Sequence, residues 1–518
     1  MFAQQEHPVT LFLDDLQWLD LATLNFIEHL LTDPDLKYLL ILGAYRDHEV
    51  SPSHPLMLML TSIRKAGVTV DEIVLKPLSF KDVNQFVSDA LRCERVRTEA
   101  LSRLVHKKTA GNPFFVIQFL TALTEEHLFE FDRGKMTWEW DLTQIQARDF
   151  TDNVVDLVVT KLKRLPARTQ KALKLPACLG NSAEIPRLSV IKGRSEKQIH
   201  SDLWEAIRAG LVLRLSGSYK FLHDRVQEAA YALIPPERRA RRHLWIGRRL
   251  AEKMAKTSVA DNIFDIVNQL NAGLALITDP HEKEQVAEFN LEAGRRAKAS
   301  TAYASACKYL AIAMDLTGSD IWERRYDLVF SVWLERSECE YLSGNFDKAN
   351  SLITDLLSRA EPKLDKTATY RLRILLQMMR GEYRQAIDTG LECLRLFGIQ
   401  IPPHPTKEQV QAEQERLWQI LGERPIESLV SLPLMTDPEM QVVMRRLSEL
   451  CAPAASAFFT DNNLFYLLVC HMAITSLKYG LTDASVHAYA DLAIILGPAF
   501  NRYQEGYHFG KPCSRSFQ

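Results

Sequence analysis

The first 75 residues alternate between two hydrophobic periods. VTLFL (Val9 to Leu13) and YLLILGAY (Tyr38 to Tyr45) are apolar at nearly every position. Such runs read as strands buried on both faces, as in a parallel sheet flanked by helices. LATLNFIEHLL (Leu21 to Leu31) and the stretch from His54 to Gly67 carry the 3.6-residue period of amphipathic helices. VDEIVL (Val70 to Leu75) predicts a third strand and completes a βαβαβ pattern.

From Leu78 the pattern turns helical. SFKD (Ser79 to Asp82) has the spacing of a capping box and opens one helix. A second ends near Lys108, and TAGNPFF (Thr109 to Phe115) turns into a third, with Pro113 in its first turn, where a missing N–H has no partner to lose. FEFDRGKMTWEWDL (Phe129 to Leu142) alternates about Asp132, Arg133 and Gly134, which predicts a β-hairpin. Between residues 150 and 235 three helical stretches precede a ribbon, LVLRLSGSYKFLHD (Leu211 to Asp224), with SGS as its turn. Helices followed by a small ribbon is the layout of a winged helix. DRVQEAAYALI and the stop at Pro235 and Pro236 close it.

Beyond residue 240 every pattern is helical, and a weak repeat runs through it. Tyr303, Phe346 and Tyr383 each stand three positions before an alanine, Ala306, Ala349 and Ala386. The units lie roughly 43 and 37 residues apart, near the ~34 of tetratricopeptide-type hairpins. A later unit keeps Ala484 and places Leu481 in the aromatic position. The alanine allows close helix approach, and the aromatic is expected to fill the gap to the next pair. An ordinary bundle rich in alanine is the competing reading.

Composition narrows the class. The chain has 518 residues, 47% hydrophobic and 25% charged, with a formal net charge of -2. That length corresponds to about three or four domains, and the balance gives no reason to expect nucleic acid or a membrane surface as partner. The basic stretch ERRARRHLWIGRRL (Glu237 to Leu250) reads as a solvated helix face with Leu244, Ile246 and Leu250 turned inward. None of the eight cysteines forms a CxxC pair, and most sit in apolar helical patterns, which fits a reducing cytoplasm. The longest apolar stretch, Leu464 to Leu477, is too short to span a bilayer.

The candidate chemistry stands at the ends of the first two strands. LFLDDLQWLD stops its apolar run at two adjacent carboxylates, Asp14 and Asp15. In parallel α/β sheets ligands gather at the carboxyl ends of strands, and carboxylate oxygens suit Mg²⁺ shared with phosphate oxygens and water. Asp14 is then placed to hold the metal's water shell and Asp15 to orient an attacking water. LLILGAYRD brings Arg46 to the same edge, where a guanidinium can bind a terminal phosphate bidentately. A solvated turn for the two aspartates, and a surface ion pair of Arg46 with Asp47 or Glu49, are the plainer alternatives.

These segments together resemble a family. LFLDDLQWLD is similar to the Walker B segment of STAND-type ATPases, the AAA-related signal-transducing ATPases with many domains, and Arg46 matches their sensor arginine. Gly111, Asn112 and Pro113 resemble the turn of the helical lid that passes close to the adenine. FLHDRVQEAAYALI (Phe221 to Ile234) is similar to the histidine–aspartate segment of the winged helix, where a residue at the position of His223 approaches the phosphates. The order of parts resembles the ATPase module of multi-sensor hybrid kinases, in which a serine/threonine-kinase-like domain precedes and GAF and histidine-kinase domains follow.

The resemblance implies a mostly α chain. Residues 1–77 would be the C-terminal part of a P-loop-type α/β core, 78–148 a helical lid with hairpin, 149–238 a winged-helix-like domain and 239–518 a solenoid of tetratricopeptide-like hairpins. It implies ATP or ADP with Mg²⁺ as cofactors, held by Asp14 and by Gly111, Asn112, Pro113 and His223, with Asp15 and Arg46 acting in catalysis. Partners would be the kinase and sensor domains of a signalling protein, with oligomerisation left open. No GxxxxGK[ST] loop stands anywhere in the sequence, so the chain alone is expected neither to bind ATP tightly nor to turn it over. AFNRYQEGYHFGK begins a helical unit that PCSRSFQ is expected to break, so both termini read as cut inside folding units. A non-enzymatic interaction scaffold and the ATPase–repeat part of a transcription activator are the alternatives.

Overall fold

The computed structural model describes residues 3–19, 21–47, 50–51, 54–147, 154–254, 263–318, 321–456 and 462–515. It is 70% helix and divides into two compact units, Met1–Glu282 and Lys283–Gln518.

The first unit opens with two parallel strands, β1 (Val9–Leu13) and β2 (Leu39–Gly43), in the register Val9↔Leu39 to Leu13↔Gly43. Helices Leu21–Thr32 and Pro55–Lys65 pack Leu24, Ile27, Leu56, Met59 and Ile63 together, with Leu13 and Ile41 against them. Burial on both strand faces is not what the structure shows: Phe12, Leu40 and Leu42 alternate onto an exposed face. The expected third strand is also absent, because Val70–Leu75 pairs with neither neighbour. Val68 and Val70 pack on the small core, while Ile73 and Leu75 are 84% and 89% exposed. The Tyr45 hydroxyl donates to Glu72 at 2.9 Å and Arg64 pairs with Glu72 at 3.3 Å. β-propensity expresses itself only against a partner edge, and these contacts fix the segment without one.

Helices Phe80–Leu91, Arg95–Thr109 and Pro113–Glu125 form the next core through Val83, Val87, Leu101, Val105, Phe119 and Leu123. Ser79 and Asp82 make the reciprocal capping box. The hairpin β3 (Phe129–Asp132) and β4 (Thr137–Trp140) covers one side of it, with Phe131 and Trp138 edge to face at 5.4 Å. Residues 149–153, where the next domain was expected to begin, lie outside the described residues.

Helices Val154–Arg164, Ala167–Leu179, Ile185–Lys192, Glu196–Arg208 and Asp224–Ala232 surround a three-stranded antiparallel sheet. Its order is β5 (Ser182–Glu184), β7 (Ser218–Phe221), β6 (Val212–Leu215), and Tyr219 and Phe221 are wholly buried under it. Helix Pro236–Met254 inserts Ile246 into this same core, so residues 239–282 belong with the first unit. Arg238, Arg241, Arg248 and Arg249 stay exposed, as a basic amphipathic face should, while Arg239 is half-buried over the Tyr231 ring.

In the second unit, helices Tyr303–Leu316, Phe346–Arg359 and Tyr383–Arg395 start at the three aromatic positions of the repeat. Ala306, Ala349 and Ala386 are wholly buried, as close helix approach requires. The aromatic role differs from expectation: Phe346 packs on Tyr341 at 6.3 Å, whereas Tyr383 is 41% exposed. Helices Lys407–Leu421, Pro438–Ser456, Asn462–Tyr479 and Asp483–Phe500 build the largest core, and the apolar run from Leu464 lies within it. The last helix, Tyr503–Arg515, runs through Pro512, so the expected break does not fall there. One proline costs a helix a hydrogen bond but need not end it, as Pro176, Pro453 and Pro498 also show. Among the described residues no helix is long and apolar enough to cross a membrane.

Candidate functional site

The apolar run of β1 carries the chain into a tight bend. Asp15 adopts the left-handed conformation, φ 55 and ψ 43, which a short polar side chain tolerates better than a branched one. Its N–H donates to Asp14 Oδ1 at 3.0 Å. Backbone bonds from Ala44 N–H to Leu13 O (2.8 Å) and from Leu16 N–H to Ala44 O (2.9 Å) tie the ends of β1 and β2. Gln17, almost fully buried, adds a side-chain tie: its Nε2 donates to Asp15 Oδ1 at 3.0 Å, and the Arg46 N–H donates to its Oε1 at 3.3 Å.

Arg46 therefore leaves the sheet beside Asp15, with Nη2 3.5 Å from Oδ1. The same Nη2 pairs with Asp224 Oδ2. One guanidinium thus sits between two carboxylates, with side-chain exposures of 34% for Arg46, 27% for Asp15 and 17% for Asp224. Asp14 stands exposed beside this group.

His223 precedes Asp224 and caps its helix: the Arg225 N–H donates to His223 Nδ1 at 3.1 Å. An accepting Nδ1 places the proton of the neutral ring on Nε2. The ring stacks on Phe114 at 4.8 Å and 20°, and leans on Phe115 at 6.0 Å. Burial, then the positive charges of Arg46 and Arg225, lower its pKa below the ordinary histidine value.

The two phenylalanines are set by the turn before them. Asn112 caps helix Pro113–Glu125 by accepting the Phe115 N–H at 3.3 Å. Gly111 has φ +74, and a Cβ there would lie 2.2 Å from Leu78 O. Only glycine permits both that conformation and that approach. The Leu78 N–H returns a 2.8 Å bond to Gly111 O, which pins the turn to the start of the lid helices.

The structure thus brings Asp15, Arg46 and His223 into one neighbourhood and leaves Asp14 at its edge. Gly111, Asn112 and Pro113 form the turn before the two phenylalanines that contact the His223 ring. Asp224, Gln17 and Phe114 were not singled out from the sequence. Asp224 follows His223 directly in the quoted FLHD segment; Gln17 and Phe114 carry no sequence signal beyond adjacency. Among the described residues no group of three or more His, Cys, Asp or Glu side chains gathers as a metal site.

A mostly helical chain, with a small parallel sheet at one end and an arginine linking it to a distant helix, defines the class only broadly. No protein-family model matches it. It is 28% identical to Hybrid signal transduction histidine kinase G of Dictyostelium discoideum, over 92% of this chain and 16% of that protein. To Peroxide stress-activated histidine kinase mak3 of Schizosaccharomyces pombe it is 22% identical, over 77% of this chain and 17% of that protein. The chain spans about a sixth of the length of these curated relatives. A crystal structure of a STAND protein with a tetratricopeptide repeat sensor, from Pyrococcus horikoshii, matches at TM-score 0.41 and 13% identity. That match covers 98% of this chain and 68% of the other.

Proposed function

We propose that this chain is a regulatory module of a signalling histidine kinase, in which nucleotide state sets how the helices of residues 154–232 pack on the β1–β2 end. The observation that carries the reading is the Asp15–Arg46–Asp224 contact. An arginine held by a distant carboxylate is a latch that an anion can open, because phosphate oxygens compete for the same guanidinium.

What supports a magnesium nucleotide here is the carboxylate pair at the end of β1. Asp14 is an exposed carboxylate next to Asp15, and one or two carboxylates suffice for a metal that keeps most of its water. In this reading Asp14 would hold Mg²⁺ through water and Asp15 would orient a water, while Arg46 would take the terminal phosphate and His223 would approach the phosphates. The Gly111-Asn112-Pro113 turn would lie beside the base. ATP and ADP supply charges that differ by one phosphate, so Arg46 would leave Asp224 in one state and return in the other. Residues 1–77 then act as part of a P-loop-type core, 149–238 as a winged helix, and the later helices as the array that kinase and sensor domains touch, in the cytoplasm.

The experiment is nucleotide titration of the full chain and two variants. Mg-ATP binds the parent weakly, Asp224→Asn binds more tightly because Arg46 is then held by one carboxylate, Asp15, rather than two, and adding Arg46→Ala removes that gain. Identical affinities in all three would overturn the latch. Mg-dependent ATPase activity that vanishes on Asp15→Asn would overturn the expectation that the chain alone is inactive.

A second reading, a non-enzymatic scaffold, draws on the regularity of the helical array. The N-caps Ala302, Asn345 and Glu382 share nearly one backbone conformation, with φ between -80 and -84 and ψ between 52 and 59. Stacked hairpins of this kind offer long surfaces to partners.

A further inference from the structure

Cys307 and Cys339 meet between helices Tyr303–Leu316 and Tyr326–Leu342, in the core that also holds Ala306, Leu310 and Val332. Their thiols are joined by a hydrogen bond. The two sulfurs differ in setting. Cys339 is wholly buried and lies in the last turn of its helix, where the negative end of the helix dipole disfavours a thiolate. Cys307 is partly exposed, and the Ser343 hydroxyl stands 3.8 Å from its sulfur.

Cys307 therefore has two donors within reach and is the half of the pair that carries negative charge more readily. The bond from Cys339 first, then the Ser343 hydroxyl against the opposing effect of burial, holds its thiol below the ordinary range. The same bond and its own burial push Cys339 upward. Other thiols are set differently. Burial raises Cys178 to about 11 and both Cys451 and Cys470 to about 12. Cys93 is partly exposed, but its thiol donates to the Leu91 carbonyl at 3.2 Å. An accessible thiolate beside a second, sheltered thiol is the arrangement of a reversible redox site.

We propose that Cys307 and Cys339 form a redox pair that hydrogen peroxide closes to a disulfide. The Cys307 thiolate attacks one peroxide oxygen. The O–O bond breaks, a sulfenic acid forms, and the other oxygen leaves as hydroxide, which takes up the proton that Cys307 had released. The Cys339 sulfur then attacks the sulfenic sulfur, its proton goes to the departing hydroxide, and a second water leaves. The two thiols lose two electrons, and one peroxide is reduced to two waters. Solvent has to reach only Cys307, and so small an oxidant suits a partly exposed sulfur. The bond fastens the first repeat helix to its neighbour and involves no residue of the site in the first unit, so it stands apart from the nucleotide reading.

The test is treatment of the reduced full chain with an equimolar amount of hydrogen peroxide, followed by alkylation of the remaining thiols and peptide mapping by mass spectrometry. Peptides carrying Cys307 and Cys339 are expected to appear joined, and dithiothreitol to separate them. Before oxidation, Cys307 should react with iodoacetamide at least about tenfold faster than Cys93. In Cys339→Ala the oxidised Cys307 should persist as a sulfenic acid that dimedone captures, and in Cys307→Ser the Cys339 thiol should survive the peroxide unchanged. Oxidation should raise the melting temperature of the parent and leave that of Cys307→Ser where it was. Oxidation of the parent without the joined peptides, a main disulfide between other cysteines, or a Cys307 no more reactive than Cys93 would each overturn the proposal, and none of these three outcomes depends on a variant folding.

Discussion

Arg46 and Asp224, 178 residues apart in the sequence, are joined by an ion pair that ties the β1–β2 end to the helix Asp224–Ala232. Because Asp15 lies on the same guanidinium, removing the arginine leaves two carboxylates facing each other. Arg46→Met is expected to cost about 1–2 kcal/mol. Asp224→Asn should cost less, since Asp15 remains as counter-ion. A double-mutant cycle read by urea unfolding should give a coupling of about 1 kcal/mol between Arg46 and Asp224. Strict additivity would mean that the pair contributes nothing in solution.

His223 adds a pH dependence with a definite sign. Its pKa in the folded chain is lowered, by burial first and then by Arg46 and Arg225, with Glu228 opposing. Between that lowered value and the unfolded value of about 6.5, the unfolded chain binds more protons. Stability is therefore complete above about pH 6.5 and falls as the pH drops below it. Burial shifts His471, in the second unit, in the same direction, so the measurement is a difference. Urea melts from pH 5 to 7.5 should show a shallower acid loss in His223→Gln than in the parent. Parallel curves would remove His223 from the account.

The elements legible in the sequence were those whose local pattern and tertiary setting agree. Ser79 and Asp82 satisfy each other within one turn, and the Phe129–Asp132 and Thr137–Trp140 hairpin needs only its own alternation. Val70–Leu75 failed because strand propensity says nothing about whether an edge is available. The strand β5 and helix Ile185–Lys192 escaped notice because each is too short to show a period. At the site, Asp15 and Arg46 could be placed together because consecutive parallel strands put their ends side by side. Asp224 could not, since no local rule links residue 46 to residue 224.

The turn at Gly111 should be intolerant of any side chain. Gly111→Ala combines a positive φ with a Cβ 2.2 Å from Leu78 O. The backbone has to move, at an expected cost of about 2–3 kcal/mol. Because this turn sets Phe114 and Phe115 against His223, the histidine should also become more accessible. Thermal unfolding measures the first effect and chemical modification of His223 the second. An unchanged melting temperature would show that the approach at Leu78 is not as tight as described.

The repeat makes its own prediction at Thr301. Before each of the three repeat helices the chain turns through a left-handed residue: Thr301 with φ 57, Gly344 with φ 79 and Gly381 with φ 73. The two glycines meet nothing within 4 Å of a hypothetical Cβ, so conformation rather than crowding selects them. Thr301 holds the same conformation with a β-branched side chain, which is strained in that region. Thr301→Gly should relieve the strain, offset in part by the greater freedom of glycine in the unfolded chain, for a net gain of about 0.5–1 kcal/mol. Gly344→Ala and Gly381→Ala should lose about 1 kcal/mol by the same reasoning. Denaturant midpoints of the three variants against the parent decide it. A loss of stability in Thr301→Gly would mean that the threonine makes contacts that outweigh its backbone strain, and that the first turn is not equivalent to the other two.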